Sequence, residues 1–269
     1  MFNVQISIKV RKLTALNLLN TLFIGNVVSR FDRLPSTNDY AWHLLEQRRP
    51  PEGMVVVADY QTAGKGQRGN RWEAAAGLNL TLSIVLYPDF LAARRAFALS
   101  QAMALAVRDV VAWHLPGHQL VQVKWPNDVI VGRKKVAGLL IQNSLSGDYL
   151  QASVVGIGLN INQRHFPPHL AKATSLACVA ESELDREEVM CDLFKTVACR
   201  YGQLKQQGTA AVQRDYLAAL YGYQQIVCFR KKDGTTFTGV VAGIDESGQL
   251  LVDRPKGRAR FGLKEVEWI

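Results

Sequence analysis

The sequence predicts an α/β (α+β) fold: a mixed β-sheet with helices packed on it, followed by a small all-β unit. Three observations carry this. Leu78, Leu80, Leu82, Ile84 and Leu86 alternate with other residues, and from Leu91 to Leu115 the apolar period becomes helical, with Leu99, Met103, Val107 and Val110 on one face. Four strand-like runs between Val121 and Ile161 are joined by turns short enough to require antiparallel neighbours. After Gly222 the texture changes to short strands punctuated by Asp233-Gly234 and Ser247-Gly248.

Taken in order, residues 22–32 read as a strand running into a turn at Pro35. Ser36-x-x-Asp39 reads as a capping box that opens a helix with Ala41, Leu44 and Leu45 inward, and Pro50-Pro51 ends it. Met54 to Ala58 is a strand, followed by a glycine-rich loop. The alternation over 78–86 predicts a strand with one face on the core. Val121–Lys124, Val129–Val131, Val136–Gln142 and Tyr149–Ile161 are the four later strands. Asp185-x-x-Glu188 opens a helix with Val189, Leu193, Val197, Tyr201 and Leu204 inward, and Gly208 separates it from a helix over 209–221. Five short strands between Gln225 and Ile269 form a small barrel or sandwich. The expected division is an extension over 1–21, a main domain over 22–221 and a β domain over 222–269.

Hydrophobic residues make up 48% of the 269, enough to build a packed core. The charge of +9 admits a nucleic acid, an acidic protein, a polyanionic small molecule, or simple solubility. The cation clusters lack the interleaved aromatics of a single-strand binding platform, and no Cys/His finger spacing occurs. Cys178, Cys191, Cys199 and Cys228 are irregularly spaced, which suits idle thiols in a reducing compartment, and the cytoplasm is expected. There is no run of about 18 apolar residues, so no membrane-spanning helix is expected.

Two turns concentrate the chemistry. Gln61-Thr-Ala-Gly-Lys-Gly-Gln-Arg-Gly69 fails the P-loop pattern, because Asp59 and Gly66 stand where Gly and Ser/Thr are required. Gly156-x-Gly158 fails the dinucleotide fingerprint at Ile161. What remains is a glycine loop whose N–H groups can converge on an anion, with Lys65, Arg68 and Arg71 adding charge; a flexible basic loop is the plainer reading. In Lys124-Trp-Pro-Asn-Asp128, Pro126 fixes a turn, and Asn127 and Asp128 suit turn positions as well as they suit a phosphate or, for Asp128, a Mg²⁺ ion. Lys135 stands at the entrance of an apolar strand, one of three consecutive cations, and Gly138 within that strand signals a close neighbour.

Ser36-Thr37-Asn38, Gln61 to Gly69 with Trp72, Lys124 to Asp128, Lys135-Val-Ala-Gly138 and Gly156-Ile-Gly-Leu-Asn160 occur together in the order and spacing of biotin protein ligases, which this chain resembles over residues 22–269. The resemblance implies a biotin/lipoate ligase-type catalytic domain with an SH3-like C-terminal barrel. It implies activation of biotin by ATP and Mg²⁺ to biotinyl-5′-AMP, then transfer to a lysine of a biotin carboxyl carrier protein such as an acetyl-CoA carboxylase subunit. Under it, Ser36, Thr37, Asn38, Gln61, Gly64, Lys65, Gly66, Gln67 and Gly138 serve the biotin, and Lys135 bridges carboxylate and phosphate as the catalytic cation. Trp72, Asn127, Asp128 and Asn160 serve the nucleotide, with Asp128 a candidate metal ligand.

One departure stands out. Gln67 occupies a position where the family most often carries arginine, so a cation is lost and Arg68 and Arg71 are the candidates to supply it. The short segment before the first shared strand leads to an expectation of no repressor activity; no nucleic-acid partner and no membrane partner are expected either. Monomer and homodimer both stay open. The rival readings are a lipoate or octanoate ligase of the same fold, and a basic nucleic-acid-binding protein.

Overall fold

The computed structural model describes residues 23–117 and 119–269, leaving aside the side chain of Arg68. The expected extension over 1–21 and the start of the first strand at 22 lie outside the described residues. Seven strands form the main sheet in the order β1-β2-β3-β7-β6-β5-β4. They are β1 (Val28–Leu34), β2 (Val55–Gln61), β3 (Leu80–Leu86), β4 (Val121–Lys124), β5 (Asp128–Val131), β6 (Lys134–Ser146) and β7 (Tyr149–Leu159). Only β1 and β2 are parallel; every other pair is antiparallel, which makes the sheet mixed as expected.

Both faces of the sheet are covered. Leu80, Leu82, Ile84 and Leu86 lie against helices α2 (Phe97–Trp113) and α4 (Arg186–Ala219), joined there by Val55, Val57, Val155 and Ile157. Each such leucine contributes about 1.5–3 kcal/mol by leaving water. The opposite face meets α1 (Thr37–Gln47), where Ala41 and Leu44 cover Val56, Ala58, Val85 and Val154. The expectation of a single core face for β3 is therefore corrected. All seven of its residues are buried, because α1 covers the side on which Thr81, Ser83 and Val85 stand. The period of two arose from Thr81 and Ser83, whose hydroxyls are met inside the protein, Thr81 Oγ1 donating to Ala58 O and Ser83 Oγ lying against Thr37 and Asn38.

Other boundaries move for local reasons. The first strand begins at Val28, after a turn over residues 24–27. The expected helix over 91–115 shortens to α2, behind a 3₁₀ turn at Ala93–Arg95. With that turn it is apolar and long enough, by composition alone, to cross a membrane (Ala93–Trp113), yet its side chains are buried between the sheet and α4, as a core helix requires. A five-residue helix α3 (Leu176–Ala180), capped by Ser175, was not expected. Gly208, with φ 80° and ψ 178°, is non-helical and divides α4 into two helical parts, as expected. Asp185 caps α4 by accepting from the N–H groups of Glu187 and Glu188. The capping box at Ser36 is half made: Ser36 Oγ accepts from Asp39 N at 3.3 Å, but the Asp39 carboxylate turns to Lys65.

The C-terminal strands β8 (Ile226–Lys231), β9 (Thr236–Ile244), β10 (Leu250–Arg254), β11 (Gly257–Phe261) and β12 (Val266–Trp268) form a second sheet, fully antiparallel, in the order β11-β10-β9-β8-β12. Its inner side chains Phe229, Val241, Leu250 and Trp268 continue the same apolar cluster that holds α2 and α4. Trp125 Nε1 donates to Gly248 O at 2.9 Å, tying the Lys124–Asp128 turn to this sheet. All four cysteines are free thiols; Cys178, Cys199 and Cys228 are exposed.

Candidate active site

The site lies on the α1-bearing face of the main sheet, beside the start of α1. Its floor is glycine. Gly138 of β6 and Gly158 of β7 are directly paired, and Gly156 pairs with Leu140 one step away. A Cβ at Gly158 would collide with the Trp72 ring, one at Gly138 would stand 3.0 Å from Lys135 Nζ and 3.2 Å from Trp72 Cζ3, and one at Gly156 would collide with the Asn38 amide. Three side chains are thus absent so that an indole, an ammonium and an amide can approach the backbone.

The first half of the site is polar and enclosed. Ser36, Thr37 and Asn38 are buried at the start of α1. Gln61, at the end of β2, accepts through Oε1 from Thr37 N at 2.7 Å and Thr37 Oγ1 at 3.1 Å. Ser83 Oγ is 2.6 Å from Asn38 Oδ1 and 2.8 Å from Thr37 Oγ1. Asn38 Nδ2 donates to Leu140 O at 3.2 Å and Gln142 Oε1 at 3.1 Å. Such a network fixes each amide and hydroxyl before any ligand arrives, which suits recognition of a neutral polar ring. Ser83 and Gln142 went unrecognised in the sequence. The only signal was a pair of polar residues on strands that otherwise read as apolar.

The glycine loop covers this pocket as a small hairpin. Gly66 N donates to Asn70 O at 2.7 Å and Trp72 N to Gly64 O at 3.0 Å, with Lys65 opposite Arg71. Gly69 takes φ 81° and closes the turn. The loop is rooted on the β1–α1 connection, where Thr62 N and Ala63 N donate to Leu34 O and Pro35 O. Ala63, Gly64, Lys65, Gly66, Gly69, Asn70 and Arg71 enclose a cleft of about 380 Å³ against Leu140 and Gln142. Lys65 Nζ reaches Asp39 Oδ1 at 2.7 Å on the rim. Lys264 of the C-terminal unit donates to Asn70 Oδ1 at 3.2 Å, so the second sheet touches the loop's tip.

The second half is charged. Lys135 Nζ lies 2.6 Å from Asp128 Oδ1 and 5.5 Å from the centroid of the Trp72 ring. A β-bulge aims it there: Val129 opposes Ala137 but Ile130 opposes Lys135, so Val136 is an extra residue. Strict alternation would send Lys135 to the helix side of the sheet. One inserted residue returns it to the side of Gly138 while Val136 is buried. The main chain of Lys135 is held as well, its N–H donating to Lys172 O at 2.7 Å and its carbonyl accepting from Thr174 N at 2.8 Å.

The sequence-nominated residues do not all point into the cleft. Asn127 turns away, Nδ2 donating to Leu139 O at 2.5 Å, and so secures the turn. Asn160 is buried and donates through Nδ2 to Thr174 O at 2.9 Å; its Oδ1 has no protein partner, nor has the buried Nε1 of Trp72. Among the described residues, no group of three His, Cys, Asp or Glu side chains has the geometry to hold a metal ion. Asp128 is engaged with Lys135.

A sequence model of the Biotin/lipoate A/B protein ligase family matches residues 30–160, which span the pocket, the loop and the charged half. The chain is 31% identical over 252 residues to the bifunctional ligase/repressor BirA of Bacillus subtilis, covering 93% of this chain and 76% of that one. It is 33% identical over 215 residues to the biotin–[acetyl-CoA-carboxylase] ligase of Paracoccus denitrificans, covering 78% and 88%. Among solved structures, the biotin protein ligase of Aquifex aeolicus in complex with biotin and ATP superposes with a TM-score of 0.73 at 25% identity, over 90% of this chain and 98% of that one. With the glycine floor, the hairpin loop and the Lys135–Asp128 pair in place, these likenesses have one meaning: the chain belongs to the biotin protein ligases of the biotin/lipoate ligase family.

Proposed function

We infer that this enzyme joins biotin to ATP as biotinyl-5′-AMP and then to a lysine of a biotin carboxyl carrier protein. The observation that carries the reading is the adjacency of an enclosed amide-and-hydroxyl pocket to a lysine set over a glycine floor. Biotin's ring occupies the pocket of Ser36, Thr37, Asn38, Gln61 and Ser83, beneath Gly64 to Gln67. Its carboxylate then leaves the pocket toward Lys135. The adenylate lies beside Trp72 over Gly138 and Gly158, and brings its α-phosphate to the same ammonium.

The two anions repel each other, and the chain supplies what offsets this. Lys135 exchanges Asp128 for the reacting carboxylate and phosphate. The N–H groups of the glycine loop add fixed dipoles that need no reorganisation at the moment of reaction. Enclosure by the loop lowers the local dielectric and strengthens both effects. No protein nucleophile takes part: a carboxylate oxygen attacks the α-phosphorus, the bond to the bridging oxygen breaks, and pyrophosphate leaves.

Mg²⁺ suits this site as a passenger on the triphosphate, with Asp128 its one protein carboxylate, since such ions are held mainly by phosphates and water. Its contribution is charge neutralisation on those phosphates. The carrier we assign is an acetyl-CoA carboxylase subunit or equivalent carboxylase domain, acting in a reducing compartment that suits four free thiols. Incubation with ATP, Mg²⁺, biotin and a carrier domain, followed by intact mass, tests the reading; one added biotinyl group is expected. Pyrophosphate exchange into ATP that responds to lipoate or octanoate but not to biotin would overturn it.

A further inference from the structure

A side-chain contact ties the glycine loop to α1, and it draws a carboxylate away from the bond that the local sequence offers it. Asp39 stands three residues after Ser36, where the return half of a capping box would use it, yet of the two bonds only Ser36 Oγ to Asp39 N forms. The Asp39 carboxylate crosses to the loop instead and accepts from Lys65 Nζ at 2.7 Å. Asp39 thus holds the loop through its side chain, while its chain neighbours Thr37 and Asn38 belong to the amide pocket.

The loop needs that carboxylate. Lys65 lies directly opposite Arg71 in the hairpin, and like charges so placed push the two sides apart. Gln67 brings no charge to the loop, and the Arg71 guanidinium reaches the Thr62 carbonyl only at 3.5 Å. Asp39 neutralises Lys65 and removes the repulsion that would open the hairpin between its Gly64–Trp72 and Gly66–Asn70 bonds. The contact is also easily undone. The Lys65 and Asp39 side chains are 50% and 45% exposed, so water takes up either group on release. Asp39 lies in the first turn of α1, where the helix N-terminus favours a carboxylate with or without Lys65.

We propose that Asp39 is a positioning residue: through Lys65 it latches the loop over biotinyl-5′-AMP and sets how long the intermediate is kept for the carrier. This rests on the reading of the chain as a biotin protein ligase. The latch shuts the cleft that the loop encloses against Leu140 and Gln142. An ion pair this exposed shifts the balance of closed and open loop by about two- to fivefold. That biases the loop without locking it, so the carrier can still displace it.

The test uses the full chain with Asp39→Asn, Asp39→Glu, Lys65→Gln and the double variant Asp39→Asn/Lys65→Gln. Wild-type protein given labelled biotin, ATP and Mg²⁺ must first yield biotinyl-5′-AMP by mass spectrometry; its absence would bring down the parent reading. Given the intermediate, its release into an excess of unlabelled biotinyl-5′-AMP is timed at about 0.05 M and about 0.5 M NaCl, a range over which an exposed ion pair is screened. At low salt Asp39→Asn should release it about two- to fivefold faster than wild type, and Asp39→Glu should recover most of the difference. At high salt wild type should approach Asp39→Asn. The double variant should release no faster than Asp39→Asn alone, since Lys65 without Asp39 only repels Arg71. An unchanged release rate in Asp39→Asn would overturn the proposal. So would a loss that is equal at both salt concentrations and adds to that of Lys65→Gln, which would make Asp39 a support of α1 and not a latch.

Discussion

The indole of Trp72 rests on Gly158, so close that any β-carbon at residue 158 would enter the ring. The contact joins a residue of the glycine loop's exit to the floor of the main sheet. It makes the position of the Trp72 ring depend on a missing side chain. It also sets Trp72 beside Lys135, whose Nζ stands 5.5 Å from the ring centroid.

Gly158→Ala should therefore displace Trp72 and leave the amide pocket in place. Overpacking of this kind costs about 1–3 kcal/mol. The expected outcome is about a tenfold or greater rise in KM for ATP in the exchange assay, with biotin affinity by calorimetry little changed.

Lys135→Ala should slow adenylate formation by about 10²-fold or more, the loss expected when a transition-state electrostatic donor is removed. The ion pair with Asp128 is partly exposed on both sides, so the variant should stay within about 1 kcal/mol of wild type in denaturant unfolding. Single-turnover measurement of biotinyl-5′-AMP beside a urea titration separates the two effects. Near-normal turnover would make Lys135 a bystander.

Ser83→Ala removes the hydroxyl that lies between Asn38 and Thr37 and leaves the buried Asn38 Oδ1 without its donor. An unmet buried acceptor costs about 1–3 kcal/mol. Biotin should bind about tenfold more weakly by calorimetry, with KM for ATP measured at saturating biotin unaffected. Wild-type affinity in the variant would place the vitamin elsewhere.

Residues 64–72 should exchange their amide hydrogens quickly without ligand and slowly with biotin and ATP together. The hairpin is held by few bonds, chiefly Gly66 to Asn70 and Trp72 to Gly64, and its glycines give little stiffness. Mass-resolved exchange of a peptide covering the loop measures this. Equal protection in both states would rule out closure over the substrates.

The sequence by itself determined the elements and most of the pocket's composition. Hydrophobic period and turn chemistry are local properties, so β3, α2, the antiparallel run from β4 to β7 and the change of texture after Gly222 were all legible. Ser36, Thr37, Asn38, Gln61, Trp72, Lys135 and Gly138 were nominated by motif and do meet in space, whereas Asn127 was nominated equally and turns its amide to the backbone instead. What only the tertiary structure decided was direction. The bulge at Val136 chooses the face on which Lys135 appears, and such a slip reverses every side chain beyond it. The polar character of Ser83 gains a meaning only when α1 lies over it. The row that lines up Gly158, Gly138, Asp128 and Lys124 exists only through pairings between strands as far apart in the chain as β3 and β7. Register is a property of two strands at once, and neither strand's own residues state it.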